Sequence, residues 1–129
     1  MESVRTIPKK QIYKAIIEAI GQIYCQSTPE TKSLLNQALA IEEDDVAKDM
    51  LQAMLLNEEL AAKEQLPICQ DTGIVIVFAD IGTETKIENG TLYSIVSEAV
   101  NDAWGKYYLR DSIAEEPLRY FSNPQKKSK

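Results

Sequence analysis

One stretch of this chain, Ile74-Val75-Ile76-Val77-Phe78, reads as a β-strand, and a strand cannot pair with itself. Backbone N–H and C=O groups removed from water must find partners, so a lone strand obliges the rest of the fold to supply a neighbour. The run is β-branched and aromatic, bounded by Gly73 on one side and Asp80-Ile81-Gly82 on the other. Its continuous apolarity predicts a strand covered on both faces. Two sources for the neighbour are open: Thr83 to Ile87 of the same chain, or a strand lying on another chain.

The sequence before the run has helical spacing. Ile12, Ile16, Ile17, Ile20 and Ile23 predict an amphipathic helix from Pro8 to Tyr24, with Gly21 weakening its last turn. Ser27-Thr28-Pro29 offers a cap and a first-turn proline, and Glu30 adds a favourable charge at the start of a second helix carrying Leu34, Leu35, Ala38, Leu39 and Ile41. Asp44 or Asp45 caps a third, whose apolar positions are Val46, Ala47, Met50, Leu51, Met54 and Leu55, and which runs towards Lys63 before Pro67. After the strand, Asn89-Gly90-Thr91 makes a turn and cap. Leu92, Ile95, Val96, Ala99, Val100 and Ala103 then line a fourth helix ending near Gly105. Beyond Arg110 the pattern decays, and Pro117 and Pro124 break anything longer. The expected class is α+β: helix-rich, about four helices, with a small buried β element after the Pro67–Gly73 loop.

Composition narrows the chemistry. At 129 residues the chain has the length of one domain, and 44% hydrophobic with 26% charged residues is an ordinary globular balance. No apolar run approaches the ~20 residues of a membrane span, and the start lacks a signal-peptide apolar segment, so a cytoplasmic protein without membrane contact is expected. A net charge of -6 argues against sequence-independent nucleic-acid binding, which rests on basic surface. The imbalance is sharper in the body, because Lys126, Lys127 and Lys129 concentrate three of the 14 positive charges in the last four residues. The absence of histidine removes histidine general bases and Ser-His-Asp triads. Two cysteines cannot close a four-cysteine metal site.

The segment with chemistry in it is Pro67-Ile68-Cys69-Gln70-Asp71-Thr72-Gly73, which places a thiol, an amide, a carboxylate and a hydroxyl consecutively in a tight connection. A loop entering a rigid strand suits a site, because the scaffold behind it holds its side chains. The plainer alternative is a turn in which Asp71 and Thr72 bond their own backbone and Cys69 is buried as a small hydrophobe. Arg110 is either an exposed arginine at a helix end or an anion clamp. Lys106 would stand one turn before it if the fourth helix continued past Gly105. Cys25, at the end of the first helix, reads as a packed thiol.

The string closely resembles the Pro-x-Cys-Gln-Asp-Thr-Gly motif of class I, iron–sulfur fumarate hydratases and the related L-tartrate dehydratase α subunits. The surroundings are similar too: Asn57-Glu58 to Lys63 before the motif, Ile74 to Gly82 after it, and Leu109-Arg110-Asp111-Ser112-Ile113 with Glu116-Pro117-Leu118 further on. The resemblance covers about residues 10–118. It implies that residues 1–118 form a truncated N-terminal-like domain of that family, followed by a divergent basic tail, 119–129. It implies that Cys69 ligates a [4Fe-4S] cluster, that Gln70 and Asp71 contact a dicarboxylate substrate, with Asp71 catalytic, and that Arg110 clamps a substrate carboxylate through paired guanidinium donors. The implied reaction is reversible hydration of a C4 dicarboxylate of the fumarate/malate type.

The chain also departs from the family. The Pro-Leu segment there leads into Asn-Thr-Gly-Asp-Asn, whereas here Leu118 is followed by Arg119-Tyr120-Phe121-Ser122-Asn123-Pro124. The family's other two cluster cysteines, its histidine and most of its catalytic residues have no counterpart in this sequence. The expectation is an N-terminal part of a hydro-lyase, inactive alone. Its partners would be more copies of itself, the missing remainder or a second subunit. The alternative is a non-catalytic truncated homologue that acts as a binding or interaction module.

Overall fold

A computed structural model describes residues 5–69 and 72–111. In chain order its elements are strand β1 (Arg5–Ile7), helices α1 (Lys9–Cys25), α2 (Pro29–Ile41) and α3 (Asp45–Glu64), strand β2 (Thr85–Ile87) and helix α4 (Leu92–Lys106). The helix-rich α+β class expected from the sequence is the class observed. The described residues divide into two compact units, one from the chain up to Ile20 and from Thr72 onward, the other from Gly21 to Cys69. The expected domain boundary after residue 118, the basic tail, and Gln70 and Asp71 lie outside the described residues.

In the first unit β1 and β2 run parallel, with Arg5 opposite Thr85, Thr6 opposite Lys86 and Ile7 opposite Ile87. The ladder closes at its ends through Arg5 N–H to the Glu84 carbonyl and Glu88 N–H to the Ile7 carbonyl. Thr91 caps α4 with a reciprocal box: its hydroxyl accepts from Ser94 N–H, and the Ser94 hydroxyl accepts from Thr91 N–H, each at 3.2 Å. Asn89, at φ 58°, and Gly90, at φ 150°, make the turn before it. The buried row of α4 is Ile95, Ala99 and Ala103, four residues apart and so on one face. Successive turns of α1 and α4 are joined by Lys9 Nζ to the Glu98 carboxylate and Tyr13 Oη to the Asp102 carboxylate, both at 2.6 Å. The second bond holds the Tyr13 phenol above its ordinary pKa, because Asp102 accepts the proton that ionisation would remove.

In the second unit α2 packs against α3. Thr28 caps α2 by accepting from Thr31 N–H at 3.2 Å, and Asp44 caps α3 by accepting from Ala47 N–H at 2.9 Å. The Glu42 carboxylate accepts from the N–H groups of Asp44 and Glu43, which lowers its pKa. Ser27 Oγ donates to Glu58 at 2.7 Å, tying the α1–α2 connection to α3. The helix start signals in the sequence therefore sit where expected, and α1 runs through Gly21 to Cys25, whose side chain is fully buried.

The strand expected at Ile74–Phe78 is a correction. These residues form no strand; Ile76 is 67% exposed and Phe78 93%. Thr85–Ile87 does become a strand, yet it pairs with Arg5–Ile7 and leaves the apolar run without a ladder. Backbone pairing, not apolarity, decides whether an extended run becomes a strand, and among the described residues no backbone–backbone bond reaches residues 74–81. Exposure alternates along it, Val75 and Val77 being more covered than Ile74, Ile76 and Phe78, which is the two-residue period of a β conformation.

Two substitutions test this burial pattern. Ile95→Ala, at a position 1% exposed, should cost about 2–4 kcal/mol in denaturant unfolding. Phe78→Ala should change stability by less than about 0.5 kcal/mol. A large loss at Phe78 would show that something covers the run.

Candidate functional site

The Pro67–Gly73 segment is anchored separately on its two sides. On the Cys69 side, Ile68 is held through both backbone groups: its N–H donates to the Tyr24 carbonyl at 2.9 Å and its carbonyl accepts from Asn57 Nδ2 at 2.9 Å. Asn57 can do this because α3 ends at Glu64 and the next residue, Gln65, adopts a left-handed conformation (φ 55°) that turns the chain back. Cys69 follows this fixed point and is exposed. The alternative of Cys69 as a buried small hydrophobe is thus not what the fold shows.

On the other side, Thr72 is 3% exposed and its hydroxyl donates to the Arg110 carbonyl at 2.7 Å. This bond spans 38 positions of the chain. Gly73 follows with φ 53°, a left-handed conformation that glycine adopts without strain. Arg110 itself is delivered by the end of α4. The helix stops at Lys106, Tyr107 and Leu109 are buried, and Leu109 N–H bonds the Trp104 carbonyl at 3.0 Å. Tyr108, at φ 55°, turns the chain, so Lys106 does not stand one helical turn before Arg110. Its ammonium lies 4.8 Å from the centre of the Tyr107 ring. The Arg110 side chain is exposed.

The structure therefore brings together two of the segments singled out in the sequence, at Thr72 and Arg110, while Gln70 and Asp71 lie outside the described residues. Sequence reading missed the roles of Thr72 and Asn57. Nothing in either residue's local context signals a bond to a carbonyl far along the chain. The two thiols differ sharply: burial pushes the Cys25 thiol upward in pKa, which disfavours the thiolate a metal needs. Among the described residues no group of three or more Cys, Asp or Glu side chains could hold a metal ion. Cys69 fits as one donor to a cluster, but these residues do not complete a donor set. Also among the described residues, no helix is long and apolar enough to cross a membrane.

Comparison with known proteins agrees with the motif. The fumarate hydratase (Fumerase) family model matches residues 13–128. A protein of Methanocaldococcus jannaschii named "Putative L(+)-tartrate dehydratase subunit alpha" is 28% identical over 109 residues, covering 84% of this chain and 35% of that protein. The chain thus spans about a third of the length of the curated relative it matches.

Two measurements check the geometry. Thr72→Val, which leaves the Arg110 carbonyl without its donor, should lower stability by about 1–2 kcal/mol, and Thr72→Ser should recover most of it. Brief alkylation of the native protein should modify Cys69 and spare Cys25, with both modified after unfolding, as read by peptide mass spectrometry. Equal labelling of the native thiols would contradict the burial of Cys25.

Proposed function

We propose, from the premise that the chain belongs to the fumarate hydratase (Fumerase) family, that it is the N-terminal part of an iron–sulfur hydro-lyase acting on a C4 dicarboxylate. The observation that carries this reading is the Thr72–Arg110 bond, because it joins the Thr72-Gly73 end of the motif to the segment bearing the arginine. A site for a dianion needs both polar groups and a guanidinium, and these two segments carry them.

In this reading Arg110 binds a substrate carboxylate with paired N–H donors, which a lysine ammonium cannot reproduce. The local charge matters because the chain carries -6 overall and its general field repels a dicarboxylate. Gln70 orients the substrate through its amide, and Asp71 is the group that accepts or returns a proton. Cys69 is one thiolate ligand of a [4Fe-4S] cluster. When bound, such a cluster supplies Lewis-acid polarisation of substrate oxygens. The remaining ligands come from polypeptide beyond this sequence, supplied by a remainder or a second subunit, so the chain alone does not turn over substrate.

The test is anaerobic reconstitution with iron and sulfide, first of this chain alone and then of the chain assembled with the polypeptide that completes it. The chain alone should show no fumarate hydration, and full activity there would overturn the assignment. In the assembled protein Cys69→Ser should lower iron content and abolish activity. Arg110→Lys should raise KM by about tenfold or more while cluster content is retained.

A further inference from the structure

The α2–α3 hairpin carries apolar surface that the hydro-lyase reading does not use. No residue of α2 is buried, and Ala61 alone is buried on α3. Ala47, Leu51 and Leu55 form a half-buried stripe at four-residue spacing. One residue earlier at each turn, about 100° around the helix, Val46, Met50 and Met54 form a second stripe. These are 69%, 64% and 51% exposed. Two adjacent apolar stripes on one helix mean two packing surfaces, and only one of them is engaged.

The charge around the exposed stripe indicates what it fits. Residues 21–69 hold nine acidic side chains and three lysines. Each lysine already faces an acid: Lys32 meets Glu59, Lys48 meets Asp45 and Lys63 meets Glu64. Among the described residues Glu43, Asp44 and Asp49 make no salt bridge and Glu42 feels only the charge of Lys48; Glu42, Glu43 and Asp44 directly precede α3, and Asp49 lies beside Met50 in sequence. We propose that the Val46–Met50–Met54 face of α3, with this acidic rim, docks a basic amphipathic helix of a partner protein. A second copy of the chain brings the same acidic rim and is repelled, whereas lysines or arginines flanking an apolar face are attracted. Two methionines suit a helix-in-groove contact, because their flexible thioethers adapt to the facing side chains.

The test uses the full chain and two fluorescein-labelled synthetic helical peptides with the same leucine stripe, one flanked by lysines and one by glutamates. At about 0.15 M salt, where surface charges are partly screened, the lysine peptide should bind at least about tenfold more tightly. Met50→Ser/Met54→Ser should weaken it about tenfold with helicity unchanged, because the apolar contact is lost and the charge is kept. Asp49→Lys should weaken the lysine peptide severalfold and favour the glutamate peptide. Equal binding of the two peptides overturns the proposal, as does a double variant that binds like wild type, since attraction is then charge alone. A wild-type dimer that the double variant converts to monomer also overturns it, because the occupant is then a second copy.

Discussion

Three residues of parallel pairing set the geometry of the unit that carries Arg110. β1 leads directly into α1, and β2 leads through a capped turn into α4, so pairing Arg5–Ile7 with Thr85–Ile87 starts both helices from the same short ladder. Lys9 then meets Glu98, and one turn later Tyr13 meets Asp102. These exposed links contribute little energy individually, but they fix register between two helices already directed by the sheet. The buried row Ile95, Ala99 and Ala103 supplies the apolar contribution. The small side chains at two of those positions allow close approach on that face. At the far end of α4, Tyr107 and Leu109 are buried, and the chain presents the Arg110 carbonyl to Thr72. The Thr72–Arg110 bond and the strand pair thus belong to one compact unit.

What the sequence made legible follows from how local each cause is. Helix starts were readable because a cap acts within three residues: Thr28, Asp44 and Thr91 each accept from a backbone N–H at that distance. Periodicity marked the four helices for the same reason. The apolar run failed as a strand because pairing is not local. Ile74–Phe78 has the composition of a strand and even its alternating exposure, yet Thr85–Ile87 found its partner at Arg5–Ile7, a segment with no strong strand signal. At the candidate site, the motif gave Cys69 and Arg110 their interest through resemblance. The anchoring by Asn57 and Thr72 could be found only from the fold.

The two cysteines illustrate how placement divides one chemistry into two roles. Cys25 ends α1 with no exposed surface, and burial raises its pKa. Its thiolate is disfavoured, and it acts as a small apolar group. Cys69 follows Ile68, whose N–H and carbonyl are both bonded, so an exposed thiol sits on a backbone that cannot easily shift. The proposed role of Cys69 as a cluster ligand asks for that combination of access and fixed origin. The sequence distinguished the pair by motif; the structure distinguishes them by solvent.

Exposed apolar surface occurs in two forms here, and they demand different partners. The run from Ile74 to Phe78 exposes backbone as well as side chains, so only another extended segment could satisfy it fully. The face of α3 has its backbone bonded within the helix, so it asks only for apolar contact, with selectivity left to the charges around it. Strand addition would fix register to within one residue, because a one-residue slip moves every side chain to the opposite face. Helix docking tolerates sliding and rotation, and the two methionines add to that tolerance. The run is therefore suited to a single structural complement and the helix face to a partner chosen by charge. The family relation bears on the first of these, since about two thirds of the matched relative's length has no counterpart in this sequence.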